Sequence, residues 1–243
     1  MNIAIVGATG NVGRKTLEVL EKKGLTLGNL YLVASSKSAG KKIHFQGKDI
    51  IVSELENFDF SKVKIAFFAA GGKISEKFAE KAAKHCLVID NSSFFRMDPD
   101  VPLIVPQVNS DALNNIKKNI IANPNCSTAQ LVIALKPLHD LFVIKRIVVS
   151  TYQSVSGAGK ASMDELIKQT KLALDGKDIK SENFTKPIAF NAIPHIDVFS
   201  EDGYTKEELK MRNETKKILD DKIDLTATCV RSVSYTHLRA HET

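Results

Sequence analysis

The sequence predicts an α/β protein, a Rossmann-type doubly wound parallel sheet followed by a second domain of α+β character. Three observations predict it. Short runs that are apolar throughout, not alternating, recur along the first half and are separated by helical stretches, the pattern of parallel strands covered on both faces. The first of these runs starts at residue 2 and breaks into a glycine turn. From about residue 126 the texture changes to a long alternating strand and charged, lysine-rich helices.

Taken in order, Asn2-Ile3-Ala4-Ile5-Val6 reads as the first strand, Gly7-Ala8-Thr9-Gly10-Asn11-Val12-Gly13 as the turn, and Leu17, Val19 and Leu20 as the apolar face of the first helix. Strand, glycine turn and helix open a phosphate-binding βαβ unit: the glycines let the backbone approach a pyrophosphate, and the helix N-terminus stabilises its charge. A merely tight structural turn is the alternative. The next run, Leu30-Tyr31-Leu32-Val33-Ala34, ends in Ser35-Ser36-Lys37-Ser38-Ala39-Gly40. An NAD site usually has an acid here for the ribose hydroxyls, whereas a 2′-phosphate wants cations and hydroxyls. Lys37 between serines, with no acid, predicts NADP; an ordinary solvated loop is the bland reading.

Further strands are expected at Ile50-Ile51-Val52, at 65–70 running into Gly71-Gly72, and at Leu87-Val88-Ile89-Asp90, with a helix through Phe78 and Ala83. Ligands of such sheets bind beyond the carboxyl ends of the strands, where 7–13, 69–72 and Asn91-Ser92-Ser93 fall. Ile120-Ile121-Ala122 and the turn Asn123-Pro124 then lead into Asn125-Cys126-Ser127-Thr128, the first turn of a helix carrying Leu131, Val132, Ile133 and Leu135. A thiol at a helix N-terminus faces backbone N–H groups and the positive end of the dipole, which favour the thiolate. The competing reading is a small apolar residue filling a gap. Beyond it the sequence predicts a strand over 145–152, a glycine- and serine-rich loop over 153–159, a helix over 163–174, an irregular stretch over 184–199, a helix over 205–220 and a strand over 224–231.

Composition limits the function classes. With 243 residues and 43% hydrophobic content the chain can bury a sizeable core. The formal charge of +6 comes mostly from lysine spread over helical faces, and no zinc-finger or basic-helix pattern accompanies it, so a nucleic-acid partner is not expected. The three cysteines, 86, 126 and 229, lack C-x-x-C spacing, so neither a disulfide framework nor a metal site is expected. No stretch is long enough to span a membrane and the first strand starts too early for a signal peptide, so the expected location is cytoplasmic.

Six motifs, in order, carry a resemblance. Gly7 to Gly13, Asn91-Ser92-Ser93-Phe94-Phe95-Arg96-Met97-Asp98, Val105-Pro106-Gln107-Val108-Asn109, Asn123-Pro124-Asn125-Cys126-Ser127-Thr128, Thr151-Tyr152-Gln153-Ser154-Val155-Ser156-Gly157-Ala158-Gly159 and Lys206-Glu207-Glu208-Leu209-Lys210 resemble the motifs of bacterial aspartate-semialdehyde dehydrogenases, from residue 1 to about Arg231. The resemblance implies an NADP-binding Rossmann-type domain over 1–125 and a catalytic and dimerisation domain over 126–231. It implies reductive dephosphorylation of aspartyl phosphate to aspartate semialdehyde, in lysine, threonine and methionine synthesis, by a homodimer. Cys126 matches the nucleophile and Gln153 the residue orienting substrate beside it. Asn125 joins the substrate-binding set. Arg96 and Lys210 match phosphate binders, and Glu207 with Arg231 the pair holding the ammonium and carboxylate. The cofactor set is Gly7, Thr9, Gly10, Asn11, Val12, Gly13, Lys37, Ser38, Gly71, Ser156 and Gly157.

Taken without that resemblance, Arg96 could be a surface ion pair, Glu207 and Lys210 an intrahelical salt bridge, and Arg231 a structural residue. An N-acetyl-glutamyl-phosphate reductase or a catalytically silent paralogue acting as a binding protein are the competing readings of the whole. The resemblance stops after Arg231. Family members place a general acid/base histidine seven positions on, where this chain has Leu238, with His237 one residue off. Residues 232–243 are therefore expected to be a non-native tail, the second domain incomplete, and the chain a poor catalyst as it stands.

Overall fold

Ile3, Ala4, Ile5 and Val6 have no polar side chain to offer water, and all four are buried inside a parallel sheet in the computed structural model, which describes residues 1–232. The chain divides into two compact units, one spanning Met1–Pro124 and the other beginning at Asn125.

In the first unit the elements run β1 (Ile3–Val6), α1 (Asn11–Lys22), β2 (Leu30–Ala34), β3 (Lys42–Phe45), β4 (Lys48–Ile51), β5 (Ser53–Glu54), β6 (Ile65–Phe68), α2 (Gly72–Ala83), β7 (Leu87–Asp90), α3 (Pro106–Asn109) and β8 (Ile120–Ala122). Six strands form one sheet in the order β5-β2-β1-β6-β7-β8, every pair parallel, with β1 matched to β2 from Ile3↔Leu30 to Val6↔Val33. Strand order reverses on either side of β1, and this is what makes the sheet doubly wound. Leu17 and Leu20 of α1 pack with Ile5, Leu32, Val52 and Phe45 into one core.

One element differs from the sequence expectation. The stretch around 50–52 is not a lone strand but the second arm of an antiparallel hairpin, β3 with β4, closed by Gln46 at φ 46° and Gly47 at φ 77°. Two successive residues with positive φ make the turn that a two-residue hairpin needs, and Gln-Gly signals it less clearly than Asn-Gly. Ala69 and Ala70 also fall outside β6, because Gly71 at φ 88° starts α2.

The second unit contains α4 (Cys126–Phe142), β9 (Arg146–Ser154), α5 (Lys160–Leu174), β10 (Ala192–Ile193), α6 (Lys206–Ile218) and β11 (Asp224–Ser232). β9 and β11 pair in parallel over their whole length, from Arg146↔Asp224 to Ser154↔Ser232, and β10 adds to β11 antiparallel. One face of this mixed sheet packs Ile147, Leu225, Ala227 and Cys229 with Met211 of α6. On the other face Val148 and Tyr152 are 69% and 68% exposed. α5 begins three residues earlier than expected, straight after Gly159 at φ 95°.

The irregular stretch after α5 is anchored by that helix. Buried Glu165 accepts the backbone N–H groups of Glu182 and Asn183, and buried Gln169 accepts those of Ile188 and Ala189 while donating to the Lys180 carbonyl. Among the described residues no helix is long and apolar enough to cross a membrane, and no group of three or more His, Cys, Asp or Glu could hold a metal ion. Of the expected tail over 232–243, Ser232 is the last residue of β11, and residues 233–243, with His237 and Leu238, lie outside the described residues.

Candidate active site

The glycine turn of the first unit is shaped by what its residues lack. Gly7 sits at φ 87°, and a Cβ there would lie 2.7 Å from the Ala69 carbonyl oxygen. A Cβ on Gly13 would collide with the Gly7 carbonyl oxygen. Gly10 is the N-cap of α1 and gives its first turn no side-chain hydrogen bond, so the N–H groups of that turn point out of the helix without a cap. Asn11, Val12 and Gly13 form the turn itself, and Thr9 Oγ1 donates to Ser38 Oγ at 3.4 Å, tying it to the short helical turn Ser36–Ser38 that follows β2. Lys37 in that turn is exposed. Uncapped backbone N–H groups at a helix N-terminus, a glycine turn packed close on its own backbone and a nearby cation form a cradle that fits a dinucleotide's phosphates.

Arg96 is buried and held by backbone carbonyls. Only 8% exposed, it donates from Nε to the Asn123 carbonyl at 2.9 Å and from Nη2 to the Asn91 carbonyl at 3.1 Å. It ties the segment after β7 to the segment after β8. Asp90, fully buried, fixes the start of the first of these by accepting from Ser75 Oγ, Ser92 N and Ser92 Oγ.

In the second unit Cys126 is the first residue of α4. Asn125 is its N-cap, with Oδ1 accepting the N–H of Ser127 at 2.9 Å and of Thr128 at 3.4 Å. None of the three cysteines forms a disulfide; Cys126 is partly accessible while Cys86 and Cys229 are buried. A cavity of about 350 Å³ opens beside Cys126, with Thr151, Gln153, Gly157, Met211 and Arg231 in its wall. Four residues from the sequence analysis, on α4, β9, the loop after β9 and β11, thus share one wall.

Glu207 organises the rest. Its Oε1 accepts from both Asn125 Nδ2 and Gln153 Nε2, each at 2.9 Å, and Gln153 Oε1 in turn accepts from Thr151 Oγ1. Its Oε2 lies 3.2 Å from Lys210 Nζ, and Lys210 also reaches Asp197 at 2.8 Å. The intrahelical salt bridge therefore exists, inside a wider network. Burial is the largest single influence on Glu207 and opposes its ionisation, yet the Gln153 hydrogen bond, the Lys210 charge and the Asn125 amide outweigh it and hold the carboxyl below its ordinary range. Lys210 mirrors this: burial pulls its pKa down, while Asp197 and Glu207 more than compensate and raise it.

Arg231 is 6% exposed and donates from Nη1 to the Ser154 carbonyl at 2.6 Å. Ser154 caps the short turn that holds Ser156, its Oγ accepting the Ser156 N–H, and Gly157 lies against Arg231, where a Cβ would come within 3.2 Å of Nη1. Two residues absent from the sequence analysis also belong here. Asp197 is the second partner of Lys210, and Glu214, 2% exposed, accepts the Asn125 backbone N–H at 2.6 Å. Glu214 lies seven residues after Glu207, on the same helix face, and that spacing was its only signal in the sequence.

Two family models match the chain: "Semialdehyde dehydrogenase, NAD binding domain" over residues 2–116 and "Semialdehyde dehydrogenase, dimerisation domain" over residues 135–242. An aspartate-semialdehyde dehydrogenase of Aquifex aeolicus is 54% identical over 241 residues, covering 97% of this chain and 71% of the relative. The structure of aspartate semialdehyde dehydrogenase II from Vibrio cholerae superposes with a TM-score of 0.94 at 52% identity, covering 96% of this chain and 71% of that one, and a complex of that enzyme with ASA matches equally well. A Candida albicans aspartate semialdehyde dehydrogenase solved with NADP matches with a TM-score of 0.66 at 26% identity, covering 96% of this chain and 67% of that one.

Proposed function

Because this chain belongs to the aspartate-semialdehyde dehydrogenase family of oxidoreductases, we propose that it carries out the NADP-dependent reductive dephosphorylation of aspartyl phosphate to aspartate semialdehyde. The observation that carries this reading is the placement of Cys126 on the first turn of α4, in the wall of a cavity that also contains Gln153 and Arg231.

The reaction follows from that placement. The Cys126 thiolate attacks the acyl carbon of the substrate, a C–S bond forms, and the C–O bond to phosphate breaks with phosphate taking the electron pair. This leaves a thioester on Cys126. When bound, the nicotinamide supplies the hydride that reduces the thioester carbon. The resulting thiohemiacetal on Cys126 collapses, releasing the aldehyde and returning the sulfur to its starting state. Gln153, fixed by Glu207 and Thr151, orients the substrate carbonyl next to the sulfur. Arg231 presents a planar cation to the substrate carboxylate, and Glu207 an anion to its ammonium. The phosphate step requires cations, and Arg96 and Lys210 are assigned to it.

Gly7, Thr9, Gly10, Asn11, Val12 and Gly13 would hold the cofactor's pyrophosphate, with Lys37 and Ser38 at the 2′-phosphate; support comes from the tight turn that Gly7 and Gly13 allow by packing against backbone and from the uncapped N-terminus of α1. Gly71, Ser156 and Gly157 complete the proposed cofactor set. A homodimer is proposed on the strength of the matching dimerisation domain and the exposed apolar face of β9. The reaction's place in lysine, threonine and methionine synthesis follows from the same assignment.

The test uses the chain and its Cys126→Ala variant, each with aspartate semialdehyde, phosphate and NADP, following cofactor reduction and the mass of the Cys126 peptide. The expected result is slow phosphate-dependent reduction and, when phosphate is left out, an acyl adduct at Cys126, both abolished in the variant, which still binds NADP. Turnover by the alanine variant, or a preference for N-acetylglutamate semialdehyde, would sink the assignment.

A further inference from the structure

Every helix N-terminus exposes backbone N–H groups, including that of the N-cap residue itself. In a local capping box a Glu or Gln at the third helical position reaches back to take the N-cap N–H. α6 does this: Thr205 caps it and Glu208 accepts the Thr205 N–H at 2.8 Å. α4 has no such acid. Its third residue is Thr128, whose buried Oγ1 has no hydrogen-bond partner. The N-cap amide of Asn125 is instead taken by Glu214 of α6, at 2.6 Å and 89 residues along the chain.

Glu207, two helical turns before Glu214 on one face of α6, takes the Asn125 side-chain amide at 2.9 Å. Asn125 is therefore gripped at its backbone and its side chain by two buried carboxylates of one helix, while its own Oδ1 holds the first turn of α4. That turn begins with Cys126. We propose that Glu214 is a positioning residue for Cys126: it closes from a distance the capping box that α4 lacks, and so sets the thiol relative to Gln153 and Glu207. The proposal rests on the reading of Cys126 as the nucleophile, and it goes beyond that reading by naming what holds the thiol in place.

The charged groups around this turn are Glu207, Lys210 and Glu214 from α6 and Arg231 from β11. Removing Glu214 changes both charge and placement, so the test must separate them. Glu214→Gln removes the charge and keeps an acceptor oxygen; Glu214→Ala removes both; Glu214→Asp keeps the charge and shortens the reach by one methylene. The measurement is alkylation of the whole chain by iodoacetamide from neutral to alkaline pH, followed for each cysteine by mass spectrometry. No substrate or turnover is involved, so failure of this proposal is distinguishable from failure of the functional assignment.

Cys86 and Cys229 provide the folding control. They are 6% and 0% exposed, and burial pushes each thiol up to about 11, so both stay unlabelled while the protein is folded. In folded Glu214→Ala the alkylation midpoint of Cys126 is expected above that of Glu214→Gln, with a rate at neutral pH about threefold lower, the order expected when helix N-terminal N–H groups no longer face the thiol. Coincident profiles for the Gln and Ala variants would overturn the proposal. If labelling of Cys86 and Cys229 shows that the Ala variant is unfolded, Glu214→Asp decides: slower Cys126 alkylation than wild type supports positioning, and an unchanged profile refutes it.

Discussion

At the start of α1 the N-cap is Gly10, which gives no side-chain hydrogen bond to the first turn; at the start of α4 it is Asn125, whose Oδ1 accepts from both Ser127 and Thr128. The two helix ends have the same inherent dipole and the same orphan N–H groups. Around the α1 turn the fold removes side chains, at Gly7 and Gly13, where a Cβ would strike the protein's own backbone, and at the N-cap Gly10, which leaves the first-turn N–H groups uncapped. Around the α4 turn it adds them, with Asn125, Glu207 and Glu214 joined in one network that fixes the residue next to the cap. Under the proposed function, the end that would receive a visiting anion stays open, and the end that would carry a reactive group of its own is tied down.

Three measurements break or sharpen this contrast, and the first has the largest expected effect. Gly13→Ala places a Cβ against the Gly7 carbonyl, and overpacking of this kind costs roughly 1–3 kcal/mol. Denaturant unfolding should show that loss, and a cofactor titration should show weakened binding, while the alkylation rate of Cys126 stays at its wild-type value. A change at Cys126 would mean that the two helix ends are not independent. The second effect is smaller: Lys37→Glu should weaken NADP about tenfold relative to NAD, since a hydrogen bond to a charged group is worth about 1.5–3 kcal/mol. Equal losses for both nucleotides would show that the turn after β2 does not read the 2′-phosphate.

The smallest effect concerns pH. The carboxyl of Glu207 is held below its ordinary value of 4.5 in the folded protein, so its contribution to stability is present above the unfolded value and is lost as pH falls through the folded one. Wild type should therefore lose more stability than Glu207→Gln on acidification below about 4.5, measured as the denaturant midpoint at successive pH values. Parallel curves for the two proteins would show that the network around Asn125 does not depend on that charge.

How much of this was legible in the sequence follows the range of the interactions. The opening strand, glycine turn and helix are local, written in one apolar run and three glycines. The first turn of α4 was legible for the same reason, since Asn125 caps residues two and three places on. The β3–β4 hairpin was not, because Gln46-Gly47 takes its positive φ values without the usual asparagine or aspartate. The backbone acceptors of Arg96 were not legible either, since nothing in the sequence shows that they are the carbonyls of Asn91 and Asn123. Glu214 stayed invisible because its partner is a backbone N–H in a different element. In each of these last cases a side chain serves the backbone of a distant segment, a relation with no periodicity to betray it.

The anchoring of the irregular segment by Glu165 and Gln169 determines how that stretch meets a protease. A cleavable loop must leave its place and extend through an active-site cleft, which requires its backbone N–H groups to be released into water. Here the Lys180 carbonyl accepts from Gln169 Nε2, and the N–H groups of Glu182, Asn183, Ile188 and Ala189 are bound to side-chain oxygens buried on α5, so Lys180 is an exposed lysine on a backbone that is not free to be threaded. A segment without regular secondary structure can thus have the digestion resistance of a helix, and a single change at Gln169 would turn it into a nicking site.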